Sequence, residues 1–285
     1  MTSRQFPLFT IAILILLSGC ARHSEQTIRV MSFNIRLDTP ADSLNAWQYR
    51  KKMVASTIRF HKADLLGVQE ALWNQMQDLT ALLPEYEWLG VGRDDGARAG
   101  EFMAIFYRKE CFQVLDHATF WLSETPEQPG RGWDAACHRV VTWAQFSDRR
   151  SGQEFFHFNT HFDHKGSLAR LKSAELLLQQ IAGIAQNEPV IVTGDFNSTP
   201  NSEVYAILTR ELTDSKKVSQ YPHHGSDGTF TWFDLKNLFN DQPIDYIFIK
   251  NNITVLYHGT LTDTFNGRLP SDHFPVLAEV VPNPS

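Results

Sequence analysis

Two short stretches place an acid beside a second polar group just where an apolar run ends: Val192-Thr-Gly-Asp-Phe-Asn197 and Pro270-Ser-Asp-His-Phe-Pro275. Asp195 and Asn197 stand two residues apart, so on an extended chain both side chains leave the same face. Asp272 and His273 are adjacent, so a loop can turn one toward a metal and the other toward a substrate. Carboxylate, carboxamide and imidazole without cysteine form a hard-oxygen set, suited to magnesium or manganese and to phosphate chemistry.

The same punctuation recurs along the chain. Ser32-Phe-Asn34 closes one apolar run with a carboxamide, and Gly67-Val-Gln-Glu70 closes another with a carboxylate. Asn159-Thr-His161 closes a third with an imidazole, followed by Asp163 and His164, and Ile244-Asp245-Tyr246 supplies a further acid. Taken singly, each is as readily a turn former or a cap. As an ordered set at strand ends, they describe a site at the rim of a sheet.

The elements that must position them follow from periodicity. Strands are expected at 28–34, 65–69, 102–107, 112–121, 140–146, 155–160, 190–193, 246–249, 254–257 and 274–281. Helical spacing covers 47–61, with Met53, Val54, Thr57 and Ile58 on one side, and 167–185, with Leu171, Ala174, Leu178, Ile181 and Ala185 in register. Shorter helices are expected at 74–82 and 202–208, and 211–241 reads as a long polar loop beside the site. Many strands with few helices point to sheets packed together and covered outside by helices.

Ahead of the first strand, Arg4 and the apolar run from Phe6 to Leu17 have the form of a signal peptide, too short for a stable membrane span. Leu17-Ser-Gly-Cys20 resembles a bacterial lipobox; an ordinary secretory signal with an incidental cysteine is the alternative. Residues 1–19 are therefore read as a lipoprotein signal peptide, 20–27 as a tether lipidated at Cys20, and 28–285 as one catalytic-sized domain. Lipidation would anchor the chain to a membrane rather than thread it through. Ala21 after the cysteine favours the outer membrane, by resemblance to known lipoproteins.

Loss of Arg4 takes the formal charge from −6 to −7, so no global basic field exists to hold polyanions. Nucleic acid is disfavoured as a partner on this ground, although a local basic rim could suffice. Cys111 and Cys137 could pair in an oxidising compartment, with two separate thiols the preferred reading. The chain is expected to be a monomer.

The order Asn34, Glu70, His161, Asp195 with Asn197, Asp245, and Asp272-His273 resembles the endonuclease/exonuclease/phosphatase superfamily over nearly all of the chain beyond the tether. Gly92-Arg-Asp-Asp-Gly96, Phe120-Trp-Leu-Ser-Glu-Thr-Pro126, Gly132-Trp-Asp-Ala-Ala136 and Asn159-Thr-His-Phe-Asp-His164 further resemble a bacterial branch of it. The resemblance implies a four-layer α/β sandwich, two mixed sheets face to face flanked by helices, with one or two magnesium or manganese ions. It implies Asn34, Glu70 and Asp272 as metal residues. His161 and Asn197 would bind phosphate oxygens, Asp195 would orient or deprotonate the attacking water, and Asp245 would fix His273; whether Asp195 or His273 is the base stays open. The implied reaction is in-line attack of water on a phosphate ester.

Arg139 opens the strand at 140, where a guanidinium fork suits phosphate; a surface salt bridge is the alternative. The family branch leads one to expect proline after Cys137, and His138 stands there instead, read as a loop histidine. Arg93 and Glu101 in a glycine-rich loop, and Trp133, are candidates for substrate contact, with Phe230 and Trp232 weaker ones. His223 and His224 are read as loop residues. A phosphoesterase on a nucleotide, sugar phosphate or lipid head group is the leading expectation. A nuclease using a rim of Arg93, Arg98, Arg108, Arg131 and Arg139 is the second. A non-catalytic binding lipoprotein is the third, and the intact site set argues against it.

Overall fold

The computed structural model describes residues 27–234, 236 and 242–283; the expected signal peptide and Cys20 lie outside them. The first sheet contains β1 (Ile28–Asn34), β2 (Leu65–Ala71), β3 (Tyr86–Leu89), β4 (Phe102–Arg108), β11 (Ile253–Thr260) and β12 (Val276–Pro282), in the order β11-β12-β1-β2-β4-β3. The second contains β5 (Phe112–Trp121), β6 (Val140–Asp148), β7 (Glu154–His161), β8 (Val190–Asp195), β9 (Thr213–Asp214) and β10 (Asp245–Lys250), in the order β5-β6-β7-β8-β10-β9. Both sheets are mixed: β1 pairs with β2 and β7 with β8 in parallel, and the other pairings are antiparallel.

Alternation along the strands divides the core into three slabs. Val30, Leu65, Ile105, Phe146, Phe155, Ile191 and Ile247 fill the space between the sheets. On β1, Met31 and Phe33 point the other way and meet Val54, Ile58, Met76 and Leu79 from α1 (Trp47–Phe60) and α2 (Trp73–Leu82). Phe156, Phe158, Val190 and Val192 meet Ala174, Leu177 and Ile181 of α3 (Ser167–Ala185), together with α4 (Glu203–Leu208). The result is a four-layer α/β sandwich.

A polar seam joins the two sheets near one rim. The Asn159 amide donates to Val68 O (2.9 Å) and Ala104 O (3.0 Å), while its Oδ1 accepts from Gln69 Nε2 (2.7 Å) and Thr193 Oγ1 (3.0 Å). All three side chains are fully buried, so this network specifies how the sheets register on each other. Gly67 lies against it; a Cβ there would overlap Thr193 Oγ1 and Asn159 Oδ1.

Several boundaries differ from expectation for local reasons. β3 has only four residues, one of them Glu87, and is held as a strand by pairing with β4. β12 starts at Val276, because Phe274 donates its N–H to Thr229 O (2.7 Å) instead of joining the ladder. The expected loop at 211–241 contains β9 and the short α5 (Ser215–Val218), and residues 219–234 follow an irregular course. On α3 the buried stripe runs through Ser173, Leu177 and Ile181, with Leu171 and Leu178 at its margin. Cys111 and Cys137 are both free thiols. Among the described residues no helix is long and apolar enough to cross a membrane.

Candidate active site

Parallel pairing carries the ends of β1, β2, β7 and β8 to one rim, and antiparallel pairing brings the start of β10 and the residues preceding β12 there too. Asp195 stands opposite His161 on β7 and opposite Asp245 on β10, so three polar strand ends are in register. Glu70 lies inside β2 at φ 65°, where the ladder with β4 slips between Val68 and Ala71. A bulge of this kind re-aims one side chain, and a non-glycine residue in left-handed conformation marks stored strain.

Asn34 bridges the sheets: its amide donates to Glu70 Oε1 (3.0 Å) and to Asp195 Oδ2 (3.1 Å). Glu70 Oε2 accepts from the Leu37 N–H (3.1 Å). Asp272 Oδ1 accepts from Ser271 Oγ (3.3 Å). His161 Nε2 lies 3.0 Å from Asn197 Nδ2 and 3.3 Å from Asp195 Oδ2. His273 Nδ1 lies 2.9 Å from Asp245 Oδ2, which also accepts from Thr229 Oγ1 (2.6 Å). Asn34, Asp195, Asp245, Asp272, His161 and His273 are all buried.

Burial pushes the Asp195 carboxyl up to about 7, with the Asp245 charge adding to it and His273 opposing. On His273 burial works downward, but the charge and hydrogen bond of Asp245, with help from Asp195, raise it to about 10. The two acids thus favour the protonated imidazole. Burial, reinforced by the Arg139 and Arg93 cations, keeps His161 well below its ordinary range and therefore neutral. Burial raises Asp272 and Glu70 adds repulsion to it. At Glu70 burial also pushes upward, yet His273, the Asn34 amide and the Leu37 N–H win and hold the carboxylate low.

These residues open onto a cavity of about 360 Å³. Its further wall contains Arg36, Arg93, Glu101, Cys137, Arg139, His164, Phe230 and Trp232. Arg93 pairs with Glu101 at 2.6 Å, and Arg139 lies 3.3 Å from Asp163 while its Nη2 reaches His164 Nδ1 at 3.0 Å. Two buried guanidinium nitrogens, Arg93 Nε and Arg139 Nη1, make no hydrogen bond among the described residues. Trp133 is not brought to the wall; its N–H faces Glu124 at φ 52°, and Phe230 with Trp232 supplies the aromatic surface instead. His138 is engaged by Asp94 (3.0 Å), and His223 by His258 (2.9 Å).

Arg36 is the wall residue that sequence reading overlooked. It follows Asn34 by two positions, the same spacing that singled out Asp195 and Asn197. Arg50 was overlooked too. It is fully buried and donates to the carbonyls of Asn45 (2.8 Å) and Arg36 (2.7 Å), and also to that of Ile35, fixing the turn after β1. Nothing in local sequence distinguishes such an arginine from a surface one.

Two oxygen-rich groups could hold a divalent ion. Asp195, Asp245 and His273 offer ligand atoms within 4.8 Å of one another, but His273 Nδ1 is already engaged by Asp245. Glu70 and Asp272 repel each other, an interaction a cation offsets, and with Asn34 they offer a hard-oxygen donor set. Cys137, Asp163 and His164 also cluster, yet the Asp163 carboxylate is taken up by the N–H groups of Ala136, Cys137, Lys165 and Gly166.

The model of the endonuclease/exonuclease/phosphatase family matches residues 31–273, a span reaching from β1 to His273. The chain belongs to that family. An endonuclease/exonuclease/phosphatase protein of Bacteroides vulgatus superposes with a TM-score of 0.86 at 44% identity, covering 90% of this chain and 98% of that one. A mannosyl-6-phosphatase of Bacteroides thetaiotaomicron superposes with a TM-score of 0.85 at 38% identity, covering 89% of this chain and 99% of that one. Nocturnin of Mus musculus is 25% identical over 286 residues, 88% of this chain but 64% of that protein, so this chain spans under two thirds of its length. This member of the endonuclease/exonuclease/phosphatase family is a metal-dependent hydrolase of phosphate esters.

Proposed function

We propose that the chain hydrolyses small phosphate monoesters, with phosphorylated sugars the leading class. The observation that carries this reading is the make-up of the cavity wall. The Arg93–Glu101 pair (2.6 Å), Arg139 and the Phe230–Trp232 aromatic pair bound a space of about 360 Å³. That size suits a compact ligand. Paired cationic and anionic side chains match the hydroxyls of a sugar, and an aromatic face matches its C–H surface. The 38% identity to a mannosyl-6-phosphatase supports the same class.

The basic rim that a nuclease would use is not assembled. Arg98 stacks on Trp73 at 4.5 Å, and Arg108 pairs with Glu110 at the opposite end of β4. Only Arg93 and Arg139 of that set line the cavity.

In the proposed mechanism, Glu70, Asn34 and Asp272 hold the divalent ion. A divalent ion held there would supply Lewis-acid polarisation of a phosphoryl oxygen and offset charge in the transition state. His161, as a neutral imidazole, and Asn197 bind further phosphoryl oxygens. Arg139 presents Nη1, unpartnered among the described residues, to the phosphate. Asp195 orients the attacking water and receives its proton, because His273, already protonated between Asp195 and Asp245, is poorly placed to act as a base. His273 instead contributes a fixed positive charge and an N–H donor.

A lipid on Cys20 would anchor a monomer to the outer membrane through the tether. Ile28 opens β1 at the rim opposite Asn34, roughly 20 Å away at about 3.3 Å per strand residue, so the cavity would face away from the bilayer. Such an orientation suits a soluble substrate. The test is phosphate release from a panel of hexose phosphates, nucleotides, phosphodiesters, RNA and plasmid DNA, with magnesium, manganese or EDTA. Release from sugar phosphates that needs metal and disappears in Glu70→Gln is expected; cleavage of nucleic acid alone would overturn the monoester reading.

A further inference from the structure

Arg36 is held more rigidly than a cavity arginine needs to be. Its N–H donates to Asn34 Oδ1 (3.0 Å), and its carbonyl accepts from Arg50 Nη2 (2.7 Å) and Gln75 Nε2 (2.9 Å). Its backbone stands at φ 59°, a conformation these contacts must enforce. The side chain is gripped in a two-pronged pair by Asp42, Nε to Oδ2 and Nη2 to Oδ1, both at 3.1 Å. Backbone and guanidinium are therefore both fixed.

So anchored, the guanidinium lies between the two carboxylates proposed to hold metal. Nη1 is 3.9 Å from Glu70 Oε2, and Nε is 3.9 Å from Asp272 Oδ2. Neither distance is a hydrogen bond, so the group sits over the acids without satisfying their lone pairs. One ion held by Glu70, Asn34 and Asp272 leaves the grip of Asp42 on the guanidinium intact. A second ion between Glu70 and Asp272 would meet a fixed like charge in the space it needs.

We infer that Arg36 stands in for a second divalent cation, so that the site binds one metal ion and the guanidinium supplies the other positive charge facing the phosphate. This rests on the proposed placement of metal at Glu70. A guanidinium presents planar donors to phosphoryl oxygens and cannot lose its charge, which suits it to that task.

The test is metal binding, read without turnover. Manganese would be titrated into the protein and followed by electron paramagnetic resonance and calorimetry, for wild type, Arg36→Gln, Asp42→Asn and Glu70→Gln. Wild type should bind one ion. Arg36→Gln should bind two, with the first bound about tenfold more tightly once the neighbouring charge is gone. Asp42→Asn, which frees the guanidinium without removing it, should admit a second ion only weakly. Two ions in wild type would overturn the inference, as would a single ion of unchanged affinity in both Arg36→Gln and Asp42→Asn. Should Arg36→Gln fail to fold, judged by near-ultraviolet dichroism, the wild-type count and Asp42→Asn decide the matter. Glu70→Gln separates the two levels: if it binds metal as wild type does, the placement at Glu70 is wrong, whatever Arg36 does.

Discussion

His273 is suspended between two acids that face each other across neighbouring strands: Nδ1 is 2.9 Å from Asp245 Oδ2, and Nε2 is 3.8 Å from Asp195 Oδ2. Asp245 and Asp195 are register partners on β10 and β8, so the sheet itself sets the span that the imidazole fills. The nearer bond fixes Nδ1–H and leaves Nε2 directed at the cavity.

Asp245→Asn tests that arrangement directly. The amide keeps the shape but removes the charge that raises His273, so kcat should fall roughly 100-fold or more, with KM little altered. Nitrogen-15 spectra of the imidazole should show His273 losing its proton at lower pH than in the parent. An unchanged kcat would remove His273 from the proposed mechanism.

Arg139→Ala should weaken use of substrate without unfolding the protein, because Asp163 keeps four backbone N–H partners. A loss of about 10- to 100-fold in kcat/KM is expected, and Arg139→Lys should not restore it, since one ammonium cannot keep the Asp163 and His164 contacts and also reach the phosphate. Full activity in the lysine variant would mean that charge alone matters there.

The seam between the sheets predicts an effect on stability. In Gly67→Ala the new methyl must displace Thr193 or Asn159 from a fully buried network. The cost should be about 2–3 kcal/mol, read as a lowered Tm in calorimetry. A Tm equal to wild type would show that the seam yields more readily than its packing implies.

His157 gives a pH dependence of folding. Burial alone lowers it to about 3, and in the unfolded chain it returns to its ordinary 6.5. Between these values the unfolded state binds the extra proton, so stability present above pH 6.5 is lost as the pH falls toward 3. At pH 5 the loss from this one group is on the order of 2 kcal/mol, at about 1.4 kcal/mol per pH unit. Chemical denaturation of His157→Asn should depend less on pH across that window. Equal slopes would place the proton uptake elsewhere.

Much of this was legible in the chain. The apolar runs at 28–34 and 190–193 reflect strands buried on both faces, and helical spacing in 167–185 reflects burial of one face, demands that each segment meets with its own residues. For the same reason the polar groups ending those runs stood out, and they pointed to a rim and to hard-metal phosphate chemistry. What the sequence could not carry were choices made by partners distant along the chain. The left-handed turn that aims Glu70 depends on the slipped ladder with β4, and β3 exists only because β4 offers it hydrogen bonds. The setting of Arg36 between Glu70 and Asp272 depends on Asp42, Gln75 and the buried Arg50. Trp133 and Trp232 are alike as loop aromatics in sequence, and only the fold brings Trp232 to the cavity. Residue type and spacing determined which chemistry was available, because protonation and ligand preference belong to side chains. Tertiary structure decided which atoms meet, because that depends on contacts between segments that local periodicity does not encode.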